Sequence, residues 1–133
     1  MKSKLFTPVT LGPLTLRNRT IRSAAFESMC PGNKPSQMLL DYHRSVAAGG
    51  IGMTTVAYAA VTQSGLSFDR QLWLRPSVVS ELKELTEAVH QEGAAVGIRL
   101  DIVEICLIKI FVVSHRCRLL PVLIFIHRLL SVD

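Results

Sequence analysis

Between Thr20 and Leu100 three short β-forming runs alternate with two helix-length amphipathic segments, and this alternation restricts the fold more than any other feature of the sequence. The first run is Thr20–Ala25, inside the stretch Asn-Arg-Thr-Ile-Arg-Ser-Ala-Ala-Phe-Glu that spans Asn18–Glu27. The second, Ile51–Val61, carries the β-branched Thr54, Thr55 and Val56, which pack well on a pleated surface. The third is Ala94–Leu100. Ser36 is a plausible cap for the first helix, because its hydroxyl can accept from a free N–H of the first turn. Met38, Leu39, Tyr42, Val46 and Ala47 then recur at helical spacing. Gly49-Gly50 ends that helix, as a glycine in the left-handed region does. Pro76 opens the second helix, at a position where its missing N–H has no partner to lose. Val78, Val79, Leu82, Leu85 and Val89 are predicted to form its apolar face, and Glu81, Lys83, Glu84 and Glu87 the wet one. His90 falls in the last turn and Gly93 ends the helix. Ahead of all this, Val9–Leu11 and Leu14–Leu16 flank Gly12-Pro13, a turn dipeptide, and predict a small hairpin. The expected order is hairpin, β, α, β, α, β. Strands joined by helices of this length form a parallel sheet with crossover helices, an α/β fold.

Two loops stand out. The first strand ends in the small residues Ser23, Ala24 and Ala25, and small side chains at a strand end let something flat lie close to the backbone. Pro31, Gly32, Asn33 and Pro35 follow as loop chemistry. The connection from Thr62 to Arg75 is long for a compact domain, and such loops tend to carry function.

The chain has 133 residues, 49% of them apolar, enough for one domain with a real core. Its net charge of +5 comes from basic residues scattered along the chain. Without a Lys/Arg block or interleaved aromatics, nucleic-acid binding is not expected. Cys30, Cys106 and Cys117 are odd in number and widely spaced, which suits neither a disulfide framework nor a zinc site. Reduced thiols in a cytoplasmic setting are the expectation. The N-terminal Met-Lys-Ser-Lys-Leu-Phe-Thr-Pro has no long apolar core, so no secretory signal is expected.

Residues 101–133 break the rhythm. No glycine occurs after Gly97, and two apolar runs, Ile105–Val113 and Leu119–Ile126, are split by His115, Arg116 and Arg118. Neither run reaches the ~18 residues of a membrane span, so stable membrane insertion is not expected. The segment shows no clear period of two or of 3.6. Nothing in its pattern suits it to cover the edge of the sheet, and self-association through that exposed edge is expected instead.

No Gly-x-Gly-x-x-Gly, P-loop, His-Glu-x-x-His or Gly-x-Ser-x-Gly motif is present. His43 and His90 read as positions on amphipathic helices. Asp41 and His43 point to different helix faces and form no dyad. Cys30, beside Pro31 in a loop, reads as incidental rather than nucleophilic. No metal site is expected.

The segment Lys-Leu-Phe-Thr-Pro-Val-Thr-Leu-Gly-Pro-Leu-Thr-Leu-Arg-Asn-Arg at 4–19 resembles the opening of the old yellow enzyme family of FMN-dependent NAD(P)H oxidoreductases. Three further pieces fall in the family's order: Ser23-Ala24-Ala25, the run from Ala48 to Val56 (Ala-Gly-Gly-Ile-Gly-Met-Thr-Thr-Val), and Leu85–His90 followed by Gly97-Ile98-Arg99-Leu100. The resemblance covers residues 4–100. It implies the N-terminal portion of a (β/α)8 TIM barrel, with FMN at the C-terminal ends of the strands, where active sites sit in this architecture.

By resemblance Ser23, Ala24, Ala25 and Phe26 would line the flavin, largely through backbone groups, with tight barrel packing an equal reason for Ala24 and Ala25. Phe26 stands where relatives carry a Thr or Cys that tunes the flavin. Tyr58 stands where they have a small residue, and reads equally as a core or rim aromatic. Arg99 replaces a Gln that offers the pyrimidine edge both a donor and an acceptor, whereas Arg only donates. Either Arg99 faces a flavin carbonyl as a cation, or it marks a non-functional copy.

The resemblance further implies a small-molecule substrate, with hydride passing from NAD(P)H to FMN and then to an electron-poor alkene or other acceptor. Asp101-Ile102-Val103-Glu104 departs from the family's continuation. The family's substrate-anchoring His pair, its Tyr proton donor and its phosphate site lie later than the matched part, and a complete barrel takes about 250 residues. The expected division is therefore a partial FMN-binding barrel at 1–100 and a non-family hydrophobic tail at 101–133. No catalytic residue is assigned. The expected product is a truncated form, inactive alone. The alternatives are a non-catalytic fragment arising from a truncated gene model, read-through or frameshift, or a membrane-associated module anchored by the tail.

Overall fold

The computed structural model describes residues 3–101 and, by their backbone, residues 109–113. Val9–Leu11 (β1) and Leu14–Leu16 (β2) form the expected antiparallel hairpin, in register Val9 to Leu16. Gly12 takes φ +56 at its turn, a value glycine adopts without steric penalty. Gln37–Ala48 (α1), Met53–Ala60 (β3), Val79–Gln91 (α2) and Ala95–Asp101 (β4) follow. β3 and β4 pair in parallel, with Met53 beside Ala95 and Val56 beside Ile98. Lys109–Val113 (β5) completes a three-stranded sheet in the order β3-β4-β5.

Local chemistry accounts for the helix ends. The Ser36 hydroxyl accepts from Leu39 N at 3.2 Å. At the other end of α1, Gly50 takes φ +94. Pro76–Val78 form a tight 3-10 turn that runs into α2. Val78, Leu85 and Val89 are buried and Leu82 is partly so. These positions lie at i, i+4, i+7 and i+11, a single helical stripe. Val79 lies one step around the helix from Val78 and is 47% exposed, which corrects its placement on the apolar face.

Side chains alternate across the strands, so each face of the sheet has its own core. Val56, Val96 and Leu100 join Leu39, Ala47, Leu85 and Val89 under the two helices. Met53 and Ala95, at the N-terminal ends of their strands, pack with Leu16, Val9 and Leu14 of the hairpin. The hairpin thus closes the end of the sheet opposite to the C-terminal ends of β3 and β4.

Arg17 locks this arrangement. Its guanidinium donates to Ile51 O at 2.9 Å, to Glu92 O at 2.7 Å and to Ala47 O. These carbonyls belong to the end of α1, the entry to β3 and the end of α2, where unpaired C=O groups carry the negative pole of a helix. Asn18 continues the lock, donating to Gly50 O at 2.7 Å and accepting from Thr20 N at 3.0 Å.

Two expectations are corrected. The strand expected at Thr20–Ala25 is reduced to a single parallel bridge, Ile21 to Met53. A continued ladder would pair Thr55 N–H with Arg22 C=O, then Ala24 N–H with Thr55 C=O and Ala57 N–H with Ala24 C=O. Side chains take two of those β3 groups instead: Arg22 Nη1 donates to Thr55 O at 2.9 Å, and Ala57 N donates to Glu27 Oε2 at 3.3 Å. The second correction concerns the far edge of the sheet. The tail was expected not to cover it, yet β5 pairs antiparallel along β4, Val96 to Val113 and Leu100 to Lys109. Residues 102–108 are too few for the dozen or so residues of a parallel crossover, so the returning strand is antiparallel. The remaining expectations for the tail fall outside the described residues.

Candidate functional site

The C-terminal ends of β3 and β4 gather three of the residues singled out from the sequence. Val56 pairs with Ile98 and Ala59 with Leu100, so Ala57 and Tyr58 together oppose Arg99. This is a β-bulge, which re-aims side chains and bends a strand locally. Tyr58 takes φ +52 there, a conformation that costs a bulky residue about 1–3 kcal/mol. The bulge places the Tyr58 ring over Arg99, with the guanidinium carbon 4.6 Å from the ring centroid. Tyr58 also meets Phe68 edge-on, with centroids 6.2 Å apart, and Phe68 lies 4.6 Å from Phe26. Phe26, Phe68, Tyr58 and Arg99 therefore form one continuous chain of ring and cation contacts.

Phe26 is 64% exposed. Arg99 Nε is buried and has no hydrogen-bond partner among the described residues. Ser23 and Ala25 are exposed and Ala24 is half-buried. Among the described residues no hydrogen bond reaches the backbone of residues 23–26. Sequence reasoning does not single out Phe68, which sits in the long 62–75 loop. That loop is held down by Leu74 N to Ala60 O at 2.9 Å, and by Asn33 Nδ2 to Gln71 O at 2.8 Å.

Beside this wall lies a buried polar cluster that the sequence did not reveal. His43, read as an ordinary amphipathic position, is fully buried. Its Nδ1 lies 2.8 Å from Thr54 Oγ1 and its Nε2 lies 3.2 Å from Glu27 Oε1. Glu27 Oε1 is also 2.9 Å from Arg22 Nη1. Arg22 and Glu27 form an ion pair, but neither Glu27 Oε1 nor His43 Nε2 has a well-aligned hydrogen bond. Arg22 Nε donates to the Tyr42 hydroxyl at 3.1 Å, and its guanidinium lies over the Tyr42 ring. The available signal was an Arg and a Glu flanking a short strand end, since buried charges need partners. Asp41 accepts from Gln37 Nε2 at 2.9 Å on the outside of α1 and forms no dyad with His43.

Cys30 is buried, and burial first, then the nearby Glu27 carboxylate, push its thiol from 9.0 up to about 12. The thiolate is the nucleophile, so this thiol is inert, in line with the sequence reading. With Cys106 and Cys117 replaced by serine, we expect Cys30 to react with a disulfide reagent at pH 8 at least about a hundredfold more slowly in the native chain than in denaturant. Equal rates would contradict the burial. The stability consequence has a definite sign. Above pH 9 the unfolded thiol ionises and the folded one does not, so stability falls as pH rises from 9 towards about 12.

Among the described residues no group of three His, Cys, Asp or Glu could hold a metal ion, and no helix is long and apolar enough to cross a membrane.

A family model described as the NADH:flavin oxidoreductase / NADH oxidase family matches residues 4–105. Over 90 residues the chain is 46% identical to a 4,4'-dithiodibutanoate disulfide reductase of Rhodococcus erythropolis, covering 68% of this chain and 22% of that protein. It is 31% identical over 103 residues to an NADPH dehydrogenase of Bacillus subtilis, covering 75% of this chain and 30% of that protein. Among solved structures, morphinone reductase in complex with tetrahydroNAD matches with a TM-score of 0.69 at 23% identity, over 77% of this chain and 28% of that one. An old yellow enzyme homologue from Zymomonas mobilis matches with a TM-score of 0.67 at 20% identity, over 74% of this chain and 28% of that one. The structural likeness shows the fold, part of a TIM barrel. The chain spans between 22% and 30% of the length of these relatives.

Proposed function

Because the chain belongs to the NADH:flavin oxidoreductase / NADH oxidase family, we propose that it forms one wall of the FMN site of an old yellow enzyme-type NAD(P)H oxidoreductase. The observation that carries this reading is the meeting of Phe26, Tyr58 and Arg99 at the C-terminal ends of parallel strands, the end at which TIM barrels place their chemistry.

The residues present fit such a group. Arg99 keeps a buried Nε without an acceptor, and a flavin's pyrimidine edge offers carbonyl acceptors. The small side chains Ser23, Ala24 and Ala25 leave an approach to backbone groups that no other described residue engages. When bound, FMN supplies two-electron chemistry, taking a hydride from NAD(P)H and giving it to an electron-poor alkene or other small-molecule acceptor. This chain's residues orient and shield that chemistry: Arg99 offers a cationic donor, and Phe26, Phe68 and Tyr58 offer an apolar border. Phe26 has neither hydroxyl nor thiol and supplies no polar contact of the kind its Thr or Cys counterparts make.

The described histidines stand elsewhere: His43 is on the buried side of α1 against Thr54 of β3, and His90 is at the end of α2 nearer the hairpin. We therefore expect FMN binding without NAD(P)H turnover from this chain alone, with residues 1–100 forming the flavin-related unit and 101–133 an appended segment. FMN titration should quench flavin fluorescence, and Arg99→Ala should weaken binding about tenfold, the worth of one charge-assisted hydrogen bond. An unaltered chain that leaves FMN fluorescence unchanged at millimolar protein would sink the proposal. One observation favours a second reading, a non-catalytic partial barrel: β5 pairs antiparallel at the edge where the winding calls for a parallel strand. The same titration separates the two.

A further inference from the structure

We propose that Arg22 and Glu27, backed by His43, act as a clasp that holds residues 23–26 off the sheet and keeps their backbone groups available to a ligand. The flavin reading gives the clasp its use, but the clasp itself stands on geometry. Thr20 and Arg22 begin a parallel ladder with β3: Met53 N donates to Thr20 O at 3.2 Å and Arg22 N donates to Met53 O at 2.9 Å. The ladder then stops. Its next acceptor, Thr55 O, is filled by Arg22 Nη1 at 2.9 Å. Of its later donors, Ala57 N is filled by Glu27 Oε2 at 3.3 Å. The two side chains that displace the ladder also meet each other, Arg22 Nη1 to Glu27 Oε1 at 2.9 Å. They bracket the four candidate cofactor residues from both sides.

The surroundings explain why the clasp persists. The Glu27 side chain is only 5% exposed, and a buried carboxylate needs cationic or donor partners. Arg22 supplies one, and His43 Nε2 lies 3.2 Å from the same carboxylate oxygen. Tyr42 fixes the guanidinium through its hydroxyl, at 3.1 Å. With Thr55 O and Ala57 N filled by side chains, the N–H and C=O groups of residues 23–26 have no partner among the described residues. Arg22 and Glu27 are thus positioning residues that act through the segment between them.

The experiment is amide hydrogen exchange, read residue by residue, on the full chain and on Arg22→Met/Glu27→Leu. That pair removes both charges at similar volume, a change buried ion pairs tolerate. Without the clasp, Thr55 O and Ala57 N are freed, and the backbone partners that a continued ladder offers them belong to Ala24. The expected result is slower exchange at the Ala24 amide by about fivefold or more, the worth of one net backbone hydrogen bond. FMN binding should weaken in the same variant. A merely stabilising pair predicts the opposite, faster exchange across the segment. Faster or unchanged exchange at Ala24 in a folded variant overturns the clasp. Should the double variant fail to fold, Arg22→Lys decides: lysine has one head group for two acceptors, and Ala24 exchange should slow here too, with no change counting against the clasp. If the unaltered chain binds no FMN, the flavin reading falls while the exchange measurement still decides the clasp.

Discussion

Replacing Gly52 with alanine is expected to destabilise the fold by about 3 kcal/mol or more, the upper range for forcing extra volume into a packed interior. A Cβ at this position would lie 2.6 Å from Asn18 O, 2.8 Å from Asn18 Oδ1 and 3.0 Å from Thr20 O. None of these atoms is the free end of a flexible side chain. Asn18 Oδ1 already accepts from Thr20 N and from Thr20 Oγ1. The close approach is itself needed, because Gly52 N donates to Thr20 O at 3.1 Å and Gly52 O accepts from Ala95 N at 2.9 Å. Gly52 is thus where the lead-in, β3 and β4 come together. Against a typical total of about 5–15 kcal/mol, the loss removes from about a fifth to about three fifths of the stability. Chemical denaturation followed by circular dichroism measures it, and a change below about 0.5 kcal/mol would show that the backbone has room to move.

Arg17→Met should cost a comparable amount, about 3 kcal/mol, because hydrogen bonds from a charged donor contribute roughly 1.5–3 kcal/mol each and losses at one site are not additive. Methionine keeps the stem but leaves the carbonyls of Ala47, Ile51 and Glu92 without their shared donor. Arg17→Lys should rescue little, since one ammonium cannot span acceptors on three segments as the planar fork does. The urea midpoint reads the loss. Hydrogen exchange should locate it at the ends of α1 and α2, and uniform loosening of the whole chain would contradict the clamp. The packing of Gly93 supports the same view, because a Cβ there would meet Arg17 Nη1 at 3.2 Å.

Much of the fold was legible because it rests on local chemistry. Ser36 caps α1 through its own hydroxyl, Gly12 turns the hairpin, and Leu85 and Val89 repeat at the helical period. These effects act over a few residues and leave a pattern in the chain. Arg17-Asn18 looked like part of a family signature, and its physical role as a lock on two helix ends came only with the structure. Phe26, Tyr58 and Arg99 were named one by one from resemblance. What joins them is Phe68 and the bulge that turns Tyr58 over Arg99. A register shift of one residue leaves no mark in composition or period.

The sequence by itself determined the order hairpin, α1, β3, α2, β4 and the parallel β3–β4 pairing. Apolar periodicity, caps and connection lengths are properties of neighbours along the chain, and each allows few arrangements. Only the tertiary structure decided how far the strand after Asn18 follows β3, which buried carboxylate His43 faces and what pairs with the outer edge of β4. Each of those outcomes is a competition among groups far apart in sequence for the same backbone acceptor or donor. At Thr55 and Ala57 the winners were Arg22 and Glu27 rather than the backbone of Ala24.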